Sequence, residues 1–396
     1  MVGVAVGLAD VTSEAGGVSP APAAYDRFAR WPQGRALVLA LVLLGVLIAS
    51  ALVPLTVGRG EEARPPSIVI AHNAAAADRP RDDDLKLYDR AISRITHGEN
   101  YYDFIVAEHR RADYPVRPGV AVRLPTLAYL DAAMGVDGDR PAPMAMAVAV
   151  ALMIGVIAAW WGRLGAEGVD PSIRRMGTAL IFFGASLGLN RYYFVLHELW
   201  AGMLLALSLG LHRPALRGEG RWLGAWAAAA LALAIREHSL PFVLLMGAMA
   251  GWRGAWAEMA AWGALVAGFA LGMGIHLHLI AAHTLPSDPV GPSWLALRGL
   301  GGFLSNVVLS SNLRFMPHWI AGPLTILMIF GWAGWNSRAG VTGTLLFLGY
   351  AAAFMIAGRN DNFYWGAVVT PAMALGLAFV PMAARSLGRA ALGVKG

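Results

Sequence analysis

The sequence predicts an all-α polytopic membrane protein with about ten transmembrane helices and a large first extracytoplasmic loop that carries juxtamembrane helices. Three observations lead there. Of 396 residues, 57% are hydrophobic and only 14% charged, and the mean hydropathy is +0.55; soluble proteins carry about 25% charged residues. Apolar runs recur along the chain at lengths close to the roughly 20 residues that a helix rising about 1.5 Å per residue needs to cross a bilayer. The positive charge is almost all arginine, in short loops between those runs.

This composition excludes a soluble globular enzyme and a disordered chain, which needs low hydrophobicity. The chain has no cysteine, so disulfides, Cys-ligated zinc, iron–sulfur clusters and thiol catalysis are excluded. A pI near 9.8 and a net charge of +6 invite a nucleic-acid reading. Arginines dispersed between apolar runs instead describe membrane topology, so the expected partner is the lipid bilayer and not nucleic acid.

Taken in order, residues 1–35 form a tail of Ser, Pro, Ala and Gly ending in Arg27, Arg30 and Arg35. The positive-inside rule puts it in the cytoplasm. Residues 36–396 form one transmembrane domain. Its first span, 36–57, lies too far in and is too long for a cleaved signal peptide. A polar loop, 58–143, follows and holds most of the acidic residues. Further spans are expected at 144–161, 176–189, 194–211, 222–235, 240–252, 259–280, 316–332, 341–357 and 364–384. Under that count, 14 cationic residues flank the spans inside and 5 lie in short outer loops. Counting 120–135 as one more crossing would invert every later loop and reverse this bias. That segment therefore reads as a juxtamembrane or re-entrant helix, allowed at membrane depth only if protein buries it. No internal repeat is visible.

The first loop carries the densest signal. In Arg81-Asp82-Asp83-Asp84-Leu85-Lys86-Leu87-Tyr88-Asp89-Arg90, the apolar positions Leu85, Tyr88, Ile92 and Ile95 fall at i, i+3, i+7 and i+10, one stripe of a helix. Gly98 is a stop and an Asp a good N-cap. The spacing predicts an amphipathic helix on the outer membrane face with its aspartates at the N-terminal end. There the helix dipole favours an ionised carboxylate, which can accept a proton or orient a hydroxyl. The alternative is that the aspartates only cap a surface helix. Next come Gly98-Glu99-Asn100-Tyr101-Tyr102-Asp103, Tyr114-Pro115-Val116-Arg117-Pro118 and Arg123-Leu124-Pro125. Tyrosine suits headgroup depth and arginine pairs with phosphate; ordinary interfacial anchoring uses the same residues.

One span, a large outer loop with an Asp four residues before a Tyr on a short helix, then a Tyr/Arg/Pro segment: this order resembles the GT-C superfamily of integral-membrane glycosyltransferases. Lipid A aminoarabinose transferases and protein O-mannosyltransferases belong to it. The family pattern is Asp-Glu-x-x-Tyr, and the chain has Asp84-Leu85-Lys86-Leu87-Tyr88, which lacks the second acid. The resemblance covers the element order of about the first 260 residues. It implies that Asp84 is the catalytic base, with Asp83 and Tyr88 in its pocket. It also implies a polyprenyl-phosphate-linked sugar as donor, transfer with inversion, and a glycan, lipid or protein as acceptor. The site would face the exterior of a bacterial inner membrane.

Ionisable groups near membrane depth are costly and are functional candidates by default. Four sets fall on the predicted outer side: Arg191 with His197 and Glu198; Arg236-Glu237-His238; Arg298 and Arg314; and Arg359-Asn360-Asp361. Residues 222–252 are too long for one crossing and predict a helical hairpin with Arg236 at its outer tip. Glu198 resembles a supporting acid of the family in position, and Arg236 and Arg359 resemble its donor-contacting basic residues. Arg117, Arg191, Arg236, His238 and Arg359 are thus the expected phosphate contacts, with His197 and Glu198 as supporting groups. Arginine offers phosphate a planar donor fork. The alternative is Arg–acid pairs that only fix helix ends, Arg236 with Glu237 and Arg359 with Asp361. His276, His278 and His283 put only the outer two on one helical face, which speaks for helix-end contacts and against a metal. No cofactor is expected. Two other classes stay open: a transporter or flippase of lipid-linked sugars, which would place charges within the bundle, and a non-catalytic membrane assembly protein.

Overall fold

A computed structural model describes residues 26–55, 83–138, 140–213 and 220–394, without the side chains of Asp83 and Asp84. All regular structure among them is helical. The helices are α1 (Gln33–Leu52), α2 (Asp83–Thr96), α3 (Tyr101–Arg111), α4 (Thr126–Ala133), α5 (Pro143–Ala166), α6 (Pro171–Ala185), α7 (His197–Leu211) and α8 (Leu223–Ile235). They continue with α9 (Leu240–Trp252), α10 (Trp256–His283), α11 (Gly299–Leu309), α12 (His318–Gly334), α13 (Arg338–Ile356), α14 (Thr370–Met373) and α15 (Val380–Ala391).

Five segments are long and apolar enough to cross a membrane: α1, α5, α10, α13 and the combined stretch Thr370–Ala391. The remaining apolar helices have 17 residues or fewer, because proline, glycine and charge interrupt their runs. Five of the ten expected spans are thus helices of full spanning length. The predicted outer loop between α10 and α12 contains a helix, α11, whose Phe303, Leu304, Val307 and Val308 are buried. At eleven residues it is too short for a reading based on span length. The expected hairpin over 222–252 forms α8 and α9 around a 3-10 turn, Glu237–Ser239. However, α8 lies along α7, and α9 along α10.

In the first loop, the predicted helix is α2 and Gly98 ends it with φ +88°. Its stripe does not lie on the membrane. Leu85 and Ile92 belong to the main protein core, with Tyr88 and Ile95 packed against it, and α2 rests on α3 and α4. Arg90 and Arg94 tie it to Glu108 of α3 at 3.1 and 3.0 Å. The 120–135 segment supplies only a 3-10 turn and the eight-residue α4.

The bundle has two distinct ends. At one, Arg27 donates to the carbonyls of Ala333 (2.8 Å) and Trp335 (3.0 Å), Gln33 reaches Ala391, and Ser386 bonds Asp26. The two ends of the described chain thus meet there. At the other end lie α2–α4, the N-terminus of α7, the Arg236 turn and the C-terminus of α13. The segment Asn360–Val368 threads between α7 and α11 at that end. Two glycines make room for it. A Cβ on Gly202 would lie 2.1 Å from the Ala367 carbonyl oxygen, and one on Gly366 would lie 2.0 Å from that of Asn306.

Candidate functional site

A cleft of about 530 Å³ opens at the end of the bundle that holds α2–α4. Helix α2 contributes Leu87 and Tyr88. The stretch after α3 contributes Tyr114 and Arg123, and the α10–α11 connection contributes Val290 and Trp294. The segment after α13 contributes Arg359, Asp361 and Tyr364. Tyr88 is the hinge of the arrangement. Its hydroxyl accepts from Arg123 Nε at 3.3 Å, and its ring packs on His197 with centroids 5.0 Å apart.

Behind Arg123 lies a buried charge network. Arg236 Nε is 2.7 Å from Glu198 Oε1, and its Nη1 donates to Glu237. Glu237 in turn faces Arg123 Nη1 at 3.8 Å. Burial alone would raise the Glu237 carboxyl, but Arg236, His238 and Arg123 together hold it well below the usual carboxylate range. At the cleft wall, the Arg359 guanidinium meets the Asp361 carboxylate with both prongs, at 3.1 and 3.3 Å. Asn362 accepts from the Arg359 backbone N–H at 3.2 Å, closing the turn.

The expected site residues therefore separate into three groups. Tyr88 and Arg359 line the cleft. His197 and Glu198 lie directly behind it, buried at the start of α7. Asp83 and Asp84 begin α2 one turn before Leu87 and Tyr88, and their side chains, like all of Asp82, lie outside the described residues. The other expected phosphate contacts are not among the residues that line the cleft. Arg236 is not at an exposed tip; it is 0% exposed and neutralised by two carboxylates. His238 sits against Trp365, ring centroids 4.4 Å apart. Burial, then Arg236, pushes its imidazole down to about 3, so it is neutral near pH 7 and offers phosphate no charge. Arg117 donates to the Asp288 carbonyl at 3.1 and 3.3 Å and staples two loops. Arg191 is exposed and away from the cleft. Both Arg–acid pairs weighed from the sequence exist, Arg236–Glu237 and Arg359–Asp361.

Arg123, Tyr364 and Glu237 were not among the expected site residues. Arg123 stood in the Tyr/Arg/Pro segment, but only the fold brings it to Glu237 and Tyr88. Among the described residues, no three His, Asp or Glu side chains group as metal ligands. His276 instead bonds the Tyr102 hydroxyl and the Val122 carbonyl, both at 3.1 Å, and pins α10 to the first loop.

Chemically, the cleft presents two guanidinium groups and three phenols beside two carboxylates, Asp113 and Asp361. This set suits an anionic ligand that also carries hydroxyls. No family model matches the chain, and no curated protein or solved structure is similar to it.

Proposed function

We propose that the chain is a membrane glycosyltransferase of GT-C type that moves a sugar from a polyprenyl-phosphate carrier to an acceptor hydroxyl. One observation carries this reading: α2 starts with Asp83-Asp84 and delivers Tyr88 to the wall of a cleft whose other walls hold Arg123 and Arg359. Asp84 falls four residues before Tyr88, and residues four apart share a helix face.

In this reading, the Asp84 carboxylate takes the proton of the acceptor hydroxyl. The acceptor oxygen bonds the anomeric carbon as the bond from that carbon to the phosphate oxygen breaks, and the electron pair leaves on the phosphate. Arg123 and Arg359 hold that developing charge, a role in which one donor is typically worth about 3 kcal/mol. Arg236 does not touch substrate; it pairs with Glu198 and Glu237 beneath Arg123. The chain crosses a bacterial inner membrane ten times, with both termini in the cytoplasm and the cleft facing the exterior. The 14-to-5 arginine and lysine bias and the meeting of the two described chain ends support this topology.

General-base assistance contributes about 10²–10⁴-fold in rate. Asp84→Asn keeps shape and capping capacity, so it should fold and lose transfer by that range, whereas Asp83→Asn should cost little. Sugar transfer measured at matched expression decides. Loss on Asp83→Asn instead would shift the register, and normal turnover in both would remove the enzyme reading from this helix.

A further inference from the structure

The connection between α10 and α11 ends in an extended stretch that runs antiparallel to the last turn of α13. Ala296 N–H donates to the Ile356 carbonyl at 3.1 Å, and Arg298 N–H to that of Met355 at 2.8 Å. Gly358 N–H donates back to Trp294 at 2.7 Å. The final carbonyls of a helix have no partner within it, and here a strand takes two of them.

Three consecutive residues, Leu295, Ala296 and Leu297, are exposed between two that are not. Trp294 lines the cleft, and the Arg298 guanidinium turns inward to donate to Asn306 Oδ1 at 2.9 Å. Leu295 and Leu297 face the other way and are 78% and 88% exposed; Leu297 is the most exposed large apolar side chain among the described residues. An outer loop bathed in water gains nothing from such a pair. The strand is paired to α13, a helix long and apolar enough to cross a membrane. The outward stripe of α13 is Leu345, Leu348 and Ile356, all exposed, and Leu295 bridges Ala357 at its end. Leu295 and Leu297 thus extend an apolar band that already faces outward along a spanning helix. The α13 carbonyls accept from the Ala296 and Arg298 N–H groups, which lowers the cost of bringing this backbone close to lipid.

We propose that residues 293–298 form a membrane-immersed strand, with Leu295 and Leu297 among the acyl chains of the leaflet on the cleft side. Trp294 on its opposite face makes the strand the wall between the cleft and the bilayer, one strand thick. The cleft is therefore bordered by lipid on this side, whatever reaction takes place in it.

The Cys-free chain allows a direct test. Single cysteines at Leu297, at Ser287 in the exposed part of the same connection and at Leu348 on α13 are labelled with a small fluorophore. The labelled proteins are reconstituted into phosphatidylcholine vesicles. Quenching is read with nitroxides on the acyl chains and with iodide in the water. The label at 297 should follow the one at 348, quenched by acyl-chain nitroxide and at least several-fold less by iodide than the label at 287. Quenching at 297 that matches 287 would overturn the proposal. Should Leu297→Cys fail to fold, Leu295→Cys carries the same expectation. No substrate enters the measurement, so its result is independent of the transferase reading.

Discussion

Arg236 and Glu198 form an ion pair of 2.7 Å between side chains that are 0% and 2% exposed. Removing one partner of a buried pair strands the other charge and typically costs about 3–5 kcal/mol, whereas replacing both by apolar groups is often neutral. Arg236→Gln and Glu198→Gln should each destabilise the protein on that scale, and Arg236→Met with Glu198→Leu should cost less than their sum. Thermal unfolding in detergent of the wild type and these three variants compares the costs. A mild Arg236→Gln, as an exposed headgroup arginine would show, would contradict this burial.

Arg359 behaves differently because its side chain keeps 29% exposure and opens onto the cleft. Arg359→Gln should leave the unfolding midpoint nearly unchanged. If the transfer reading holds, turnover should fall by about 10²-fold, the usual cost of losing one donor to developing charge. Normal turnover in a folded variant would leave the Arg359 guanidinium only its contact with Asp361.

Asp131 of α4 is fully buried, and among the described residues neither carboxylate oxygen has a hydrogen-bond partner. Burial, with Asp89 adding to it, pushes its carboxyl well above the usual range. The folded state thus holds a proton that the unfolded chain releases above about pH 4. Stability must therefore fall as pH rises through that window. Asp131→Asn should remove this slope and raise the melting temperature at pH 8, with little effect near pH 4. A wild-type midpoint independent of pH, or equal shifts at both pH values, would count against a protonated Asp131.

Gly202 and Gly268 make a paired test of packing. A Cβ on Gly202 would strike the Ala367 carbonyl, while Gly268 has open space around it. Gly202→Ala should cost about 1–3 kcal/mol by overpacking and displace the segment that carries Tyr364. Gly268→Ala should be neutral or add up to about 1 kcal/mol through helix propensity. Comparable melting temperatures for the two variants would mean that α7 and 360–368 are not in close contact.

Helix α2 and its apolar register were legible in the sequence, because a 3.6-residue period is local information. What the stripe packs against was not. The same amphipathic pattern suits a membrane surface or a protein core, and here it meets α3, α4 and the bundle. Helix α11 escaped because it is short and buried by neighbours distant in the chain. Arg123 escaped because its partners, Tyr88 and Glu237, lie on other elements.

By itself, then, the sequence determined that the chain is helical and apolar enough for membrane helices, that cysteine chemistry is absent, and where the breaks between apolar runs fall. These follow from composition and short-range periodicity. Only the tertiary structure decided which arginines reach the cleft and which are spent on buried partners. Arg236 and Arg359 look alike in sequence, each beside an acid. One is sealed at the junction of α7, α8 and α9, while the other opens onto the cleft. The difference is burial, and burial is set by contacts between elements far apart along the chain.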